Sequence, residues 1–195
     1  MKRLLAYLFI VLGLGLVVSV KADDISDFQI EGMSIGDSAL DFFSKSEIKK
    51  NTETPWPNKT YVQFCSEKGN YNNYEYICFA YLKKDKKFII EQVSGEIDLT
   101  FKDCLKKKKE IALEIEDLFK SAEKKIRENY KHAADKKGKS IINDVQFTFK
   151  DGSAAAVGCT DWSDEITKTK KWTDYLGVFV ASKKFIKWNR TKAFK

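Results

Sequence analysis

The sequence predicts an α+β fold in which antiparallel sheet strands and helices follow the order helix, three strands, long helix, three strands, short helix, with the helices packed on one face. Three observations carry this prediction. Over residues 100–137, Cys104, Ile111, Ile115, Leu118, Ala122, Ile126 and Tyr130 recur at spacings of three, four or seven among Lys, Glu, Asp and Arg, the stripe of one long amphipathic helix. On both sides of that segment the period drops to two and aromatic and β-branched residues dominate. The four cysteines are an even number in a chain with an export-type start, which predicts two disulfides.

The chain opens Met1-Lys2-Arg3 and runs apolar from Leu4 to Val20. It then reads Val20-Lys21-Ala22 before an acidic stretch, so residues 1–22 are expected to be a cleaved signal peptide. The alternative is an inner-membrane anchor over residues 4–20, with the rest of the chain facing the periplasm. Cleavage would remove Lys2, Arg3 and Lys21, leaving 32 cations against 28 acidic residues and a formal charge of +4 instead of +7. Residues 23–195 suit one disulfide-bonded α+β domain, periplasmic or secreted, with no membrane span after cleavage.

Residues 23–32 are read as an extended lead-in. Residues 34–51, with Ile35, Leu40, Phe42, Phe43 and Ile48 among polar residues, are read as a helix of about three turns, ended by Asn51 and Pro55-Trp56-Pro57. Strands are expected over 61–65, 74–82 and 87–97, with turns at Gly69-Asn70 and Lys84-Asp85. A tight turn at Lys84-Asp85 pairs Tyr81 with Phe88 and Phe79 with Ile90. Setting Phe64 opposite Phe79 and Val62 opposite Tyr81 continues the same apolar face and brings Cys65 opposite Cys78, at a separation that suits a disulfide.

After the long helix, Gly138 breaks the pattern and strands follow over 145–149, 153–160 and 172–181, then a short helix over 182–191. At Asp151-Gly152 a three-residue loop with a left-handed Gly152 pairs Phe147 with Ala155 and Val145 with Val157. Cys159 then shares the face of Phe147 and Phe149, whereas a two-residue turn would put it on the other. The helix must cover the apolar face and carries Cys104 on its stripe, so the first register favours a bridge from Cys104 to Cys159. Four cysteines permit three connectivities. The loop-entropy model assigns the two bridges about 3 and about 4 kcal/mol.

Gly32-Met33-Ser34, ahead of a helix, resembles the start of outer-membrane assembly lipoprotein modules, a likeness of fold that covers residues 32–51. Three further blocks, Phe101-Lys102-Asp103-Cys104, Ala134 to Ser140 and Gly158-Cys159-Thr160-Asp161-Trp162-Ser163, resemble uncharacterised small secreted proteins of free-living bacteria with AT-rich genomes. That second resemblance implies an extracytoplasmic location and the Cys104 to Cys159 link, and no activity. Cys65 and Cys78 rest on register alone.

No nucleophile elbow, zinc-protease, P-loop or dinucleotide motif occurs, and His132 is the single histidine, so no metal and no cofactor are expected. His132 is read as a helix-end residue. Asp161 and Asp164, flanking Trp162, are the pair on which a carboxylate-dependent hydrolase would rest. Trp56, Tyr71, Tyr74 and Tyr76 form the most recognition-like group, suited to an envelope protein or a glycan. The lysine runs at 83–87 and 106–109 read as a charged turn and a solvated helix face, with nucleic acid not expected as a partner. The functional expectation is a non-catalytic binding or interaction module of the cell envelope, the alternative being the hydrolase at Trp162.

Overall fold

The computed structural model describes residues 25–67 and 71–195. The leader expected over residues 1–22, the anchor alternative at 4–20 and the turn at Gly69-Asn70 lie outside the described residues. Within the described residues no helix is long and apolar enough to cross a membrane.

The described residues form the helices α1 (Lys45–Lys50), α2 (Phe101–Leu118), α3 (Asp164–Lys170) and α4 (Lys183–Thr191). The strands are β1 (Thr52–Glu53), β2 (Tyr61–Glu67), β3 (Tyr76–Leu82), β4 (Gln92–Asp98), β5 (Glu123–Lys131), β6 (Ile141–Thr148), β7 (Ala154–Asp161) and β8 (Tyr175–Ala181). All eight strands join one antiparallel sheet in the order β1-β2-β3-β4-β8-β7-β6-β5. The two strand sets expected from the sequence are therefore fused edge to edge through β4 and β8.

The β2–β3 and β6–β7 hairpins take the expected register. Phe64 faces Phe79 and Cys65 faces Cys78 across β2–β3. Gly152 adopts φ +89° and Phe147 faces Ala155 across β6–β7. Both disulfides follow: Cys65–Cys78 with Cα atoms 4.1 Å apart, and Cys104–Cys159 with Cα atoms 5.8 Å apart.

Several expectations are corrected. The long helix ends at Leu118, and residues 123–131 are strand β5. Its stripe is Cys104, Lys108, Ala112 and Ile115, continued by the capping Phe119, whose ring stacks on Phe28 at 5.7 Å and meets Phe149 edge-on at 5.1 Å. Strand β5 is an edge strand whose side chains are mostly exposed, so its Lys- and Glu-rich sequence carries no burial period; pairing with the backbone of β6 outweighs helix propensity there. The second strand set therefore has four members.

The helix expected at 34–51 is reduced to a 3-10 turn at Ala39–Asp41 and the short α1, capped by a reciprocal Ser44–Glu47 box. Its first residues run beside the chain before β4 instead, with Gly36 N–H on Ile90 O and Ala39 N–H on Phe88 O. That segment is thereby removed from β4, and Phe79 faces Val93 in place of Ile90. Residues 164–170, assigned no element from the sequence, form α3, and the strand expected from Trp172 starts at Tyr175.

The helices do not share one face. The rows Ile77, Phe79, Tyr81, Val93, Leu176, Val178 and Val180 pack with residues of α1 and α2 in the main core. Phe185 and Trp188 of α4 instead pack on Tyr61, Ala80 and Ala181, which point the opposite way along their strands. Alternation along a strand fed by apolar residues on both sides permits a helix on either face, and α4 leaves β8 directly onto the second one.

Candidate functional site

The second face is covered by α4 at the end of β8 where Ala181 lies. Toward the other end of the strands the register lines up two cross-strand rows on that face. One runs Tyr76, Glu96, Gly177, Gly158, Asp144 and Arg127, and the next runs Asp98, Tyr175, Thr160, Ile142 and Tyr130. Cys78 and Ser94 lie in the row toward α4, so the Cys65–Cys78 bridge braces the same face.

The two glycines make this surface possible. A Cβ at Gly177 would stand 3.1 Å from Tyr175 Cε2, and one at Gly158 would stand 3.1 Å from Asp144 Cβ. The Tyr175 ring and the Asp144 Cβ thus approach bare backbone at these positions. At the β5 edge, a bulge between Arg127 and Tyr130, with Asn129 at φ +50°, turns residues three apart onto one face. Asn143 holds that bulge by accepting the Asn129 N–H at 3.3 Å and donating to Asn129 Oδ1 at 3.2 Å. Arg127 Nε donates to Asp144 Oδ1 at 2.9 Å, its Nη2 donates to Oδ2, and the Tyr130 hydroxyl donates to Oδ2 at 2.7 Å. The guanidinium also lies 4.7 Å from the Tyr130 ring centre. The Asp144 side chain is only 1% exposed, and this triple partnership is what keeps its charge tolerable there.

Glu96 stands on the other side of the glycines. Its Oε1 accepts the Ser94 hydroxyl at 3.2 Å, and burial, reinforced by Asp98, pushes its carboxyl up to about 7 against the opposing Ser94 bond. Tyr175 is raised by burial and by the Glu96 charge, and Tyr130 by burial and by Asp144. The arrangement offers a carboxyl, raised by burial, between Tyr76 and Tyr175, a setting that receives a cation or a hydrogen-bond donor.

The residues singled out from the sequence are dispersed. Tyr76 belongs to this face, beside Glu96. Trp56 sits at the α4 end, edge-on to Phe185 at 5.6 Å and to Trp188 at 5.2 Å. Tyr71 and Tyr74 pack against the main core on the opposite face, while the Asn72 and Asn73 N–H groups donate to the Glu31 carboxylate at 3.1 and 2.9 Å.

Asp161 ends β7 and Asp164 opens α3. Burial raises the Asp161 carboxyl, with Asp174 and Asp164 adding to it, while Asp174 Oδ1 accepts the Trp162 N–H at 2.8 Å. His132 is not a helix-end residue. It follows β5, its ring lies 4.3 Å from Trp162, which is 4.7 Å from Trp172, and burial pulls its imidazole down to about 4. Its Nδ1 accepts the Ala134 N–H at 3.1 Å. Asp135 beside it accepts from the Ser140 N–H and hydroxyl at 2.8 and 2.7 Å, which depresses its carboxyl strongly and ties the 132–140 loop together.

Sequence reasoning passed over Glu96, Tyr175, Asp144 and Arg127. The available signal was the pair of isolated glycines, Gly158 and Gly177, inside strand patterns, a mark of close approach over the backbone. Neither a family model nor a curated protein nor a solved structure matches this chain.

Proposed function

We propose that the protein is an exported, non-catalytic interaction module of the cell envelope, and that it receives a partner protein on the face bearing Tyr76, Glu96 and Tyr175, with a lysine or arginine of the partner against Glu96. The leader-like residues 1–22 and the two disulfides support export to an oxidising compartment. The single observation that carries the binding reading is the Glu96 carboxyl, set between Tyr76 and Tyr175 beside a two-glycine floor. Aromatic side chains on a rigid strand platform offer contact area at low entropic cost, and a carboxylate between them sets preference for a cation.

The test is in-cell photo-crosslinking from position 76 in otherwise wild-type protein and in Glu96→Gln. A discrete protein adduct that fades in Glu96→Gln supports the reading. The same adduct at the same yield in both, or no protein adduct in either, refutes it.

A further inference from the structure

A different surface, which does not depend on that reading, is built at the α4 corner. From Ser182 to the last residue the chain has no acidic side chain, and Lys183, Lys184, Lys187, Lys192 and Lys195 are exposed, while Arg190 donates to Gln146 Oε1 at 3.1 Å. Inward, Phe185 and Trp188 anchor the helix to Tyr61 and Trp56. Asn58 joins this helix to a neighbouring loop: its N–H donates to Ala193 O at 3.1 Å, and its Oδ1 accepts from Trp188 Nε1 at 3.2 Å and from the Thr60 N–H at 3.1 Å. Thr60 O in turn accepts the Lys83 N–H at 3.0 Å, drawing the β3–β4 turn into the same corner.

Between the loop and the turn lies an open groove of about 970 Å³ lined by Lys59, Lys83, Lys84 and Leu82. The acid on its rim, Asp85, is engaged by the Lys87 and Ile89 N–H groups at 2.9 and 2.8 Å. At the start of α4 Glu91 takes the Ser182 hydroxyl, and Asp151, in the turn beside Lys183, accepts the Ser153 N–H at 2.9 Å. The lysines therefore face outward among the described residues with no carboxylate ion pair. Two large apolar side chains stand exposed on the same corner, Leu82 at 37% and Phe194 at 40%.

We propose that this corner binds the surface of an anionic phospholipid membrane, with Lys59, Lys83, Lys84 and Lys192 against the headgroup phosphates and Leu82 and Phe194 dipping below them. Charge complementarity identifies the surface, and the apolar pair distinguishes it from a site for a soluble polyanion, which offers nothing for Leu82 or Phe194 to enter.

Vesicle co-sedimentation tests this with protein recovered from an exporting host, using phosphatidylcholine vesicles with and without phosphatidylglycerol. All variants share one N-terminus, so whatever residues 1–22 contribute is common to them. The wild type is expected on phosphatidylglycerol vesicles and to dissociate as salt is raised. At roughly five-fold per lysine, Lys59→Glu with Lys83→Glu and Lys84→Glu loses about 100-fold or more in affinity. The triple variant Lys102→Glu, Lys106→Glu, Lys109→Glu, on the exposed side of α2, makes the same change in net charge and stays within about two-fold of wild type. Leu82→Ser with Phe194→Ser weakens vesicle binding about ten-fold or more. Circular dichroism and intact disulfides check the folding of each variant. Equal loss in both lysine triples, equal binding to pure phosphatidylcholine, no vesicle binding, or binding to inorganic polyphosphate with the Leu82/Phe194 variant unaffected on vesicles would each overturn the proposal.

Discussion

The ring of Tyr74 lies on Gly95 in the middle of β4: a Cβ at that glycine would stand 2.4 Å from Tyr74 Cγ. Gly95 is flanked by Ile77 and Val178 on its neighbouring strands, so backbone displacement there would disturb the centre of the sheet. Gly95→Ala is expected to destabilise the protein by about 1–3 kcal/mol, the range for inserting a carbon into a packed site. Adding Tyr74→Ala recovers part of that loss if the clash is the cause. Urea unfolding of both single variants and the double variant measures the coupling.

Glu96 and His132 give stability opposite dependences on pH. Glu96 has its carboxyl raised to about 7 by burial, Asp98 adding to it, so the native state holds the proton more tightly than the unfolded chain. Stability from this group is full below the unfolded value and is lost as pH rises through about 7. His132 is lowered to about 4 by burial, so its contribution is full above the unfolded value and is lost as pH falls through about 4. Relative to wild type, Glu96→Gln should gain about 2 kcal/mol above neutrality and little in acid, after discounting for partial exposure. Protonation of His132 against the Trp162 ring should be read as a tryptophan fluorescence change with a midpoint near 4. Parallel stability–pH curves for wild type and Glu96→Gln would contradict the assignment.

Cys104 and Cys159 join α2 to the strand that it covers across 55 residues of chain. Replacing both with Ala is expected to lower unfolding free energy by about 4 kcal/mol, from the entropy of a loop of that length. The Cys65–Cys78 loop, 13 residues, is worth about 3 kcal/mol by the same relation. Non-reducing peptide mapping should return these two pairs, and denaturant midpoints of the two double variants should rank in that order.

What was legible in the chain was what two or three neighbours decide. Asp151-Gly152 sets a turn whose left-handed glycine dictates the β6–β7 register, and that register alone aims Cys159 at α2. The alternating aromatics of β2 and β3 set Cys65 against Cys78 in the same way. Ile126 shows the reverse: it continued a helical stripe on paper, yet it is 58% exposed on an edge strand. Where neither face of a segment is buried, its period means nothing, and a free backbone edge decides the conformation.

The sequence by itself therefore determined the β2–β3 and β6–β7 pairings, both disulfides, the terminal helix and the α+β class, because turn geometry and side-chain alternation act over a few residues. Tertiary structure alone decided that β4 and β8 merge two strand sets into one sheet, that residues 123–131 become its edge, and that α4 crosses to the second face. It also decided that Tyr76, Glu96, Tyr175 and Arg127, drawn from four strands up to 99 residues apart in the chain, share one surface. Long-range strand pairing depends on which edges remain unpaired once the local hairpins have formed, and no window of neighbouring residues contains that information.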